Sequence, residues 1–183
     1  MYFKWTVAGI ESSLIWSKYS RLWELFFFLF LGVGNTSSAA EFNFYCDPEA
    51  AHIVLEDSQC PVQIVPWETC YENPIDGHWR RNVLGAVGGE MMQLLNAAEH
   101  KFDDRWVTCD PLCVAFYLES RLVQKSTVWH ASVELTGTRT RGQMVLDHLR
   151  EHSKQNVTVV ESFNLEDFKQ FILWCAERWT KPV

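Results

Sequence analysis

Along this 183-residue chain, apolar positions recur with two different periods, and the switches between them outline the elements. Residues 25–31 are apolar without interruption, as is typical of a strand buried in a parallel sheet, and they lead straight into Gly34-Asn35. A signal segment is the rival reading of this stretch. Lys18 and Arg21 precede the run and small residues follow it, but cleavage near Ser38-Ala39-Ala40 would cut through the polar stretch that comes next. A helix crossing a bilayer needs about 20 apolar residues, more than this run supplies. The strand is the reading adopted.

The alternation continues downstream. Asp47-Pro48-Glu49 combines an N-cap, a first-turn proline and an acid at the positive end of the dipole, which predicts a helix over 48–55. Residues 62–65 read as a strand ended by Pro66-Trp67-Glu68-Thr69, and 73–77 as a turn. Apolar residues at helical spacing predict a helix over 83–102, although Gly85, Gly88 and Gly89 each weaken it by about 1 kcal/mol relative to Ala. Residues 101–105 form a charged loop. Asp110-Pro111 repeats the helix start, and 111–118 is apolar enough to be expected in the interior. Residues 127–135 and 143–149 alternate as strands around a Thr/Gly/Arg turn, and 156–161 is a further strand. Asn164 and Asp167 set up an approximate capping box for a last helix, with a buried stripe of Leu165, Phe168, Phe171, Ile172, Cys175 and Trp179. Strands alternating with helices give an α/β fold with a mainly parallel sheet.

Composition narrows the function classes. Nearly half of the residues are apolar, as in a globular domain. The net charge of -7 supplies no basic stripe for phosphates, which excludes a nucleic-acid binder. Cys109 and Cys113 have a zinc-like gap, but no second close Cys/His pair accompanies them. The six cysteines are therefore expected as buried free thiols. Asn35 and Asn156 both lie in glycosylation sequons.

The chemistry concentrates in residues 34–54, GNTSSAAEFNFYCDPEAAHIV, where Asn35, Glu41 and Asn43 place two amides and a carboxylate just ahead of a helix start. On spacing alone, turn chemistry accounts for both asparagines. The stretch also resembles the inosine-uridine-preferring nucleoside hydrolases, whose segment runs GN-x-(T/S)-x-x-AEFN and then DPEAA. Further likeness lies in Cys109-Asp110-Pro111, where that family has His-Asp-Pro, and in ELTGTRTRGQMVLD at 134–147. It covers about residues 32–180, the C-terminal half of a typical member. The division is then an unmatched segment, 1–31, and a partial nucleoside hydrolase domain, 32–183.

The resemblance implies hydrolysis of the N-glycosidic bond of purine or pyrimidine ribonucleosides to ribose and free base, a step of nucleoside catabolism. It implies that Asn35, Glu41 and Asn43 hold ribose hydroxyls, that Phe42 lies against the nucleoside and that Asp110 is a calcium ligand. The thiol of Cys109, with an ordinary pKa of about 8.5, stands where the family's leaving-group acid would be. The family's aspartate cluster, D-x-D-x-G-x-D-D, has no counterpart: residues 1–33 contain no Asp. The competing expectation is accordingly a non-catalytic fragment or pseudoenzyme, at most a weak ribose-binding module. The partner expected is a small-molecule nucleoside, with no membrane association, and a homo-oligomer is left open. The location expected is cytoplasmic, with secretion as the alternative.

Overall fold

The computed structural model describes residues 34–99 and 104–178. The strand expected at 25–31 and the end of the predicted apolar stripe, Trp179, lie outside them. The chain enters through a tight loop at Gly34, where an added Cβ would meet Ser37 O at 2.0 Å and Ala40 O at 2.5 Å. Only glycine fits there. The loop runs into α1 (Phe42–Cys46), a short helix that the spacing did not predict, and then α2 (Pro48–Asp57). Asp47 caps α2 as expected, its Oδ1 accepting from the Ala50 N–H at 2.9 Å.

Strand β1 (Val62–Ile64) leads into α3 (Trp67–Tyr71), so Pro66-Trp67-Glu68-Thr69 not only ends the strand but starts a helix. β2 (Ile75–Asp76) and α4 (Gly77–Trp79) follow, with a π-turn at Arg80–Leu84. The helix expected over 83–102 begins late, as α5 (Glu90–Ala98). Gly89 at its start has φ of 104°, which a right-handed helix excludes, so the glycines divide the segment instead of merely weakening it. Buried Arg80 ties the two parts together. Its guanidinium donates to Glu99 Oε2 and to Asn96 Oδ1, while Asn96 donates to Gly85 O.

β3 (Arg105–Trp106) pairs antiparallel with β2, and α6 (Asp110–Leu118) follows. α6 is less interior than its composition suggested. Leu112, Ala115 and Phe116 are buried, whereas Val114, Tyr117 and Leu118 are exposed, because a helix that is apolar all round turns only one face to this core. β4 (Val123–Trp129) and β5 (Ala131–Val133) divide the predicted single strand at His130. β5 pairs antiparallel with β6 (Met144–Leu146). β7 (Val157–Phe163) and α7 (Leu165–Arg178) complete the chain. Asn164 Oδ1 accepts from the Asp167 N–H, and its amide donates to Asp167 Oδ2, as the capping box predicted.

The fold is α/β. Its main sheet among the described residues is mixed and has the order β1-β7-β4: β7 lies parallel to β1 and antiparallel to β4. Two apolar clusters flank it. One gathers α6, α7 and α3 around Leu112, Phe116 and Phe168; the other gathers α2 and the β5–β6 hairpin around Leu55, Ala131 and Met144. The six cysteines are free, but only Cys70 is fully buried, and Cys46 and Cys60 are exposed.

Candidate functional site

The loop before α1 meets the start of α3 just past the carboxyl end of β1, where α/β folds place their ligands. Glu41, the last loop residue before α1, is 1% exposed. Its Oε1 accepts from the Trp67 N–H at 2.6 Å, which ties the loop to the start of α3. Its Oε2 is buried and has no hydrogen-bond partner among the described residues. An unpartnered buried oxygen on an ionised carboxylate is costly. Burial, opposed in part by the Trp67 N–H and reinforced by Glu68 and Cys109 nearby, pushes the Glu41 carboxyl up to about 9. At neutral pH this group holds its proton.

The other expected residues are distributed around it. Asn35 Oδ1 accepts from the Phe42 N–H at 2.7 Å and from the Thr36 hydroxyl at 3.3 Å. The turn chemistry that spacing allowed is therefore present, and it serves to satisfy the first N–H of α1. No hydrogen bond of the Asn35 amide nitrogen is found among the described residues. Phe42 is 58% exposed, with its ring on the surface beside Glu41, and Asn43 is half-buried. Cys109 is the residue before α6, and Asp110 is the first residue of that helix, not its cap. Both are half-buried.

Two residues that sequence reasoning treated only as a strand terminator complete the arrangement. Trp67 supplies the N–H that holds Glu41, and Glu68 is a second buried carboxyl close to it. The neighbouring Cys109 thiol, together with burial, keeps the Cys70 thiol far above its ordinary range. The signal was available in the position of Pro66-Trp67-Glu68 directly after a strand, at the end where sites form. Two further contacts from the turn before β6 reach α1 and α2. Gly142, at φ of +83°, lies so close that a Cβ would come within 3.0 Å of Phe44 O, and Arg141 forms an ion pair with Glu49 at 2.8 Å.

A family model described as inosine-uridine preferring nucleoside hydrolase matches residues 24–170. The chain belongs to this family. It is 31% identical over 158 residues to the pyrimidine-specific ribonucleoside hydrolase RihA of Salmonella arizonae, a match covering 81% of this chain and 49% of that protein. Among solved structures it is similar to an inosine-guanosine nucleoside hydrolase, with a TM-score of 0.71 and 26% identity, covering 81% of this chain and 49% of that one. A plant nucleoside hydrolase shares the fold with a TM-score of 0.68 at 22% identity, covering 81% of this chain and 50% of the other. The chain thus spans about half the length of the relatives it matches.

The family implies a calcium ion, which takes six to eight oxygen ligands. Among the described residues, no group of three or more His, Cys, Asp or Glu is arranged to hold a metal ion. Asp110 alone does not make such a site.

Proposed function

We propose that this chain supplies the ribose-holding side of a nucleoside N-ribohydrolase site, in which the N-glycosidic bond of a purine or pyrimidine ribonucleoside is cleaved by water. The observation that carries the reading is the Glu41 carboxyl, fixed on one oxygen by the Trp67 N–H and unpartnered on the other among the described residues. A sugar hydroxyl both accepts and donates, so it satisfies Oε2 whichever protonation state the bound complex adopts. The Asn35 amide and half-buried Asn43 lie along the same short stretch, and exposed Phe42 offers a face to the sugar or base. In glycoside cleavage the sugar approaches an oxocarbenium ion, and hydrogen bonds to its hydroxyls strengthen as it does so. Contacts of this kind accelerate the reaction through differential binding of the transition state. In this reading Cys109 stands at the leaving-group side and Asp110 is the residue that would face a metal. The absence of a metal-holding cluster among the described residues favours a second, narrower reading, sugar binding without turnover by these residues alone.

The test is a titration of the chain and its Glu41→Ala variant with D-ribose, followed by calorimetry or NMR. A hydrogen bond between neutral groups is worth about 0.5–1.5 kcal/mol, so the variant should bind roughly 2- to 10-fold more weakly while keeping its circular dichroism. Equal affinity of the two proteins would overturn the assignment of Glu41.

A further inference from the structure

The glycines that divide residues 83–102 leave a space that ribose recognition does not use. Gly88 and Gly89 bring no side chain into it, and a Cβ added at Gly88 would meet nothing within 4 Å. The result is a cavity of about 290 Å³ between α5, the start of α6 and α7, walled chiefly by Met91, Met92, Leu95, Trp106 and Ile172. Met91 is exposed and Met92 buried, so the cavity runs inward from the surface. None of Asn35, Glu41, Phe42, Asn43, Cys109 and Asp110 lines it. The one charged side chain in its wall is Glu99. Its Oε2 accepts from Nε and Nη2 of buried Arg80 at 3.1 and 2.9 Å, and the Arg80 guanidinium lies over the Trp106 ring, 5.0 Å from its centroid. Glu99, Arg80 and Trp106 thus hold one another in place. The second Glu99 oxygen, Oε1, has no hydrogen bond among the described residues.

We propose that this cavity binds a small, neutral, fused-ring aromatic molecule with one ring N–H, the class of which indole is the simplest member. Size sets the ring count. An apolar cavity of about 150 Å³ holds benzene, so about 290 Å³ admits two fused rings. The walls set the aromatic character: methionine thioethers adapt to a ring and make favourable contacts at its edge, and Trp106 offers an aromatic neighbour. Glu99 sets the polar group. A single free acceptor on an otherwise apolar wall suits a single N–H donor. Arg80 already compensates the Glu99 charge, so a cationic ligand would lose its hydration on entering without gaining an unpaired carboxylate. A sugar, with several hydroxyls and one acceptor to share among them, does not fit these walls.

The experiment uses the full chain labelled with ¹³C-methyl methionine, which gives four methyl signals. Met91 and Met92 line the cavity, while Met144 lies in the other apolar cluster and serves as the internal control. Titration with indole should shift the Met91 and Met92 methyls saturably and leave Met144 in place. Indene has the same shape with a CH₂ where indole has its N–H. It should bind at least about tenfold more weakly, the loss expected when a hydrogen bond to a charged acceptor is removed. Ala176→Phe, at a lining position on α7, puts a ring into the cavity and should abolish the shifts. Should that variant also move the Met144 signal, and so be misfolded, the comparison of indole with indene on the parent chain decides alone. The proposal is overturned if Met91 and Met92 stay in place up to the solubility limit of indole, if Met144 moves as far as they do, or if indene binds as tightly as indole. The ribose-holding stretch contributes no residue to the cavity, so the result stands apart from the Glu41 assignment.

Discussion

Glu41 shows how much one side chain can hold in reserve. A carboxyl raised to about 9 in the folded protein and near 4.5 when unfolded binds its proton more tightly in the native state. Below the unfolded value both states are protonated, and the group has no net effect. From there up to the folded value the unfolded chain is ionised and the folded one is not, so stability falls with rising pH by up to about 1.4 kcal/mol per unit. Glu41→Gln removes the titration while keeping the shape. Chemical denaturation between pH 5 and pH 8 should therefore show the variant gaining on the parent as pH rises. Parallel curves would mean that Glu41 is ionised in the fold. From sequence, Glu41 was recognisable through the family-like AEFN run, but its burial was not, because burial depends on Trp67, 26 residues away, donating its N–H. Asn35 shows the opposite outcome: its local turn role was legible from spacing alone.

At the scale of elements, the legible features were those with local causes. The Asp47 cap, the Asn164–Asp167 box and the hairpin turn follow from short-range hydrogen bonding, and each is present. What the pattern missed were tertiary effects. α1 is held by the Asn35 side chain seven residues upstream, and the helix expected across 83–102 is divided where Gly89 takes a positive φ. Gly142, also at positive φ, is pressed against α1, so Gly142→Ala should destabilise the protein by about 1–2 kcal/mol from the left-handed backbone alone, read by thermal or urea unfolding. An unchanged midpoint would show that the turn moves freely away from α1. Asn156 makes a related prediction. Its Oδ1 accepts from the Ala131 N–H, and its amide donates to Leu55 O and Ala131 O, joining α2, β5 and β7. Although it lies in a sequon, this amide is committed to the fold. Asn156→Ala should cost about 1–3 kcal/mol, and mass spectrometry of protein expressed in a glycosylating host should find no glycan at this position.

For the whole molecule, family membership and the α/β fold are established, and the chain accounts for about half the length of its relatives. Among the described residues no helix is long and apolar enough to cross a membrane. The calcium ion that the family resemblance implies sets the next prediction. With Asp110 as the one matched carboxylate, purified protein of these 183 residues should release no base from inosine or uridine in the presence of calcium, assayed by chromatography of the free base. Calcium-dependent turnover would place oxygen ligands outside the family pattern. The central claim, a preformed ribose-holding carboxyl, is tested most directly by the backbone amide of Trp67, which is hydrogen-bonded to Glu41 and so reports any ligand reaching its other oxygen. In a ¹H–¹⁵N spectrum, titration with D-ribose should shift the Trp67 amide together with that of Phe42, and tetrahydrofuran, a ring of the same size without hydroxyls, should leave both in place. Ribose-induced shifts that bypass Trp67, or equal shifts with tetrahydrofuran, would contradict the account.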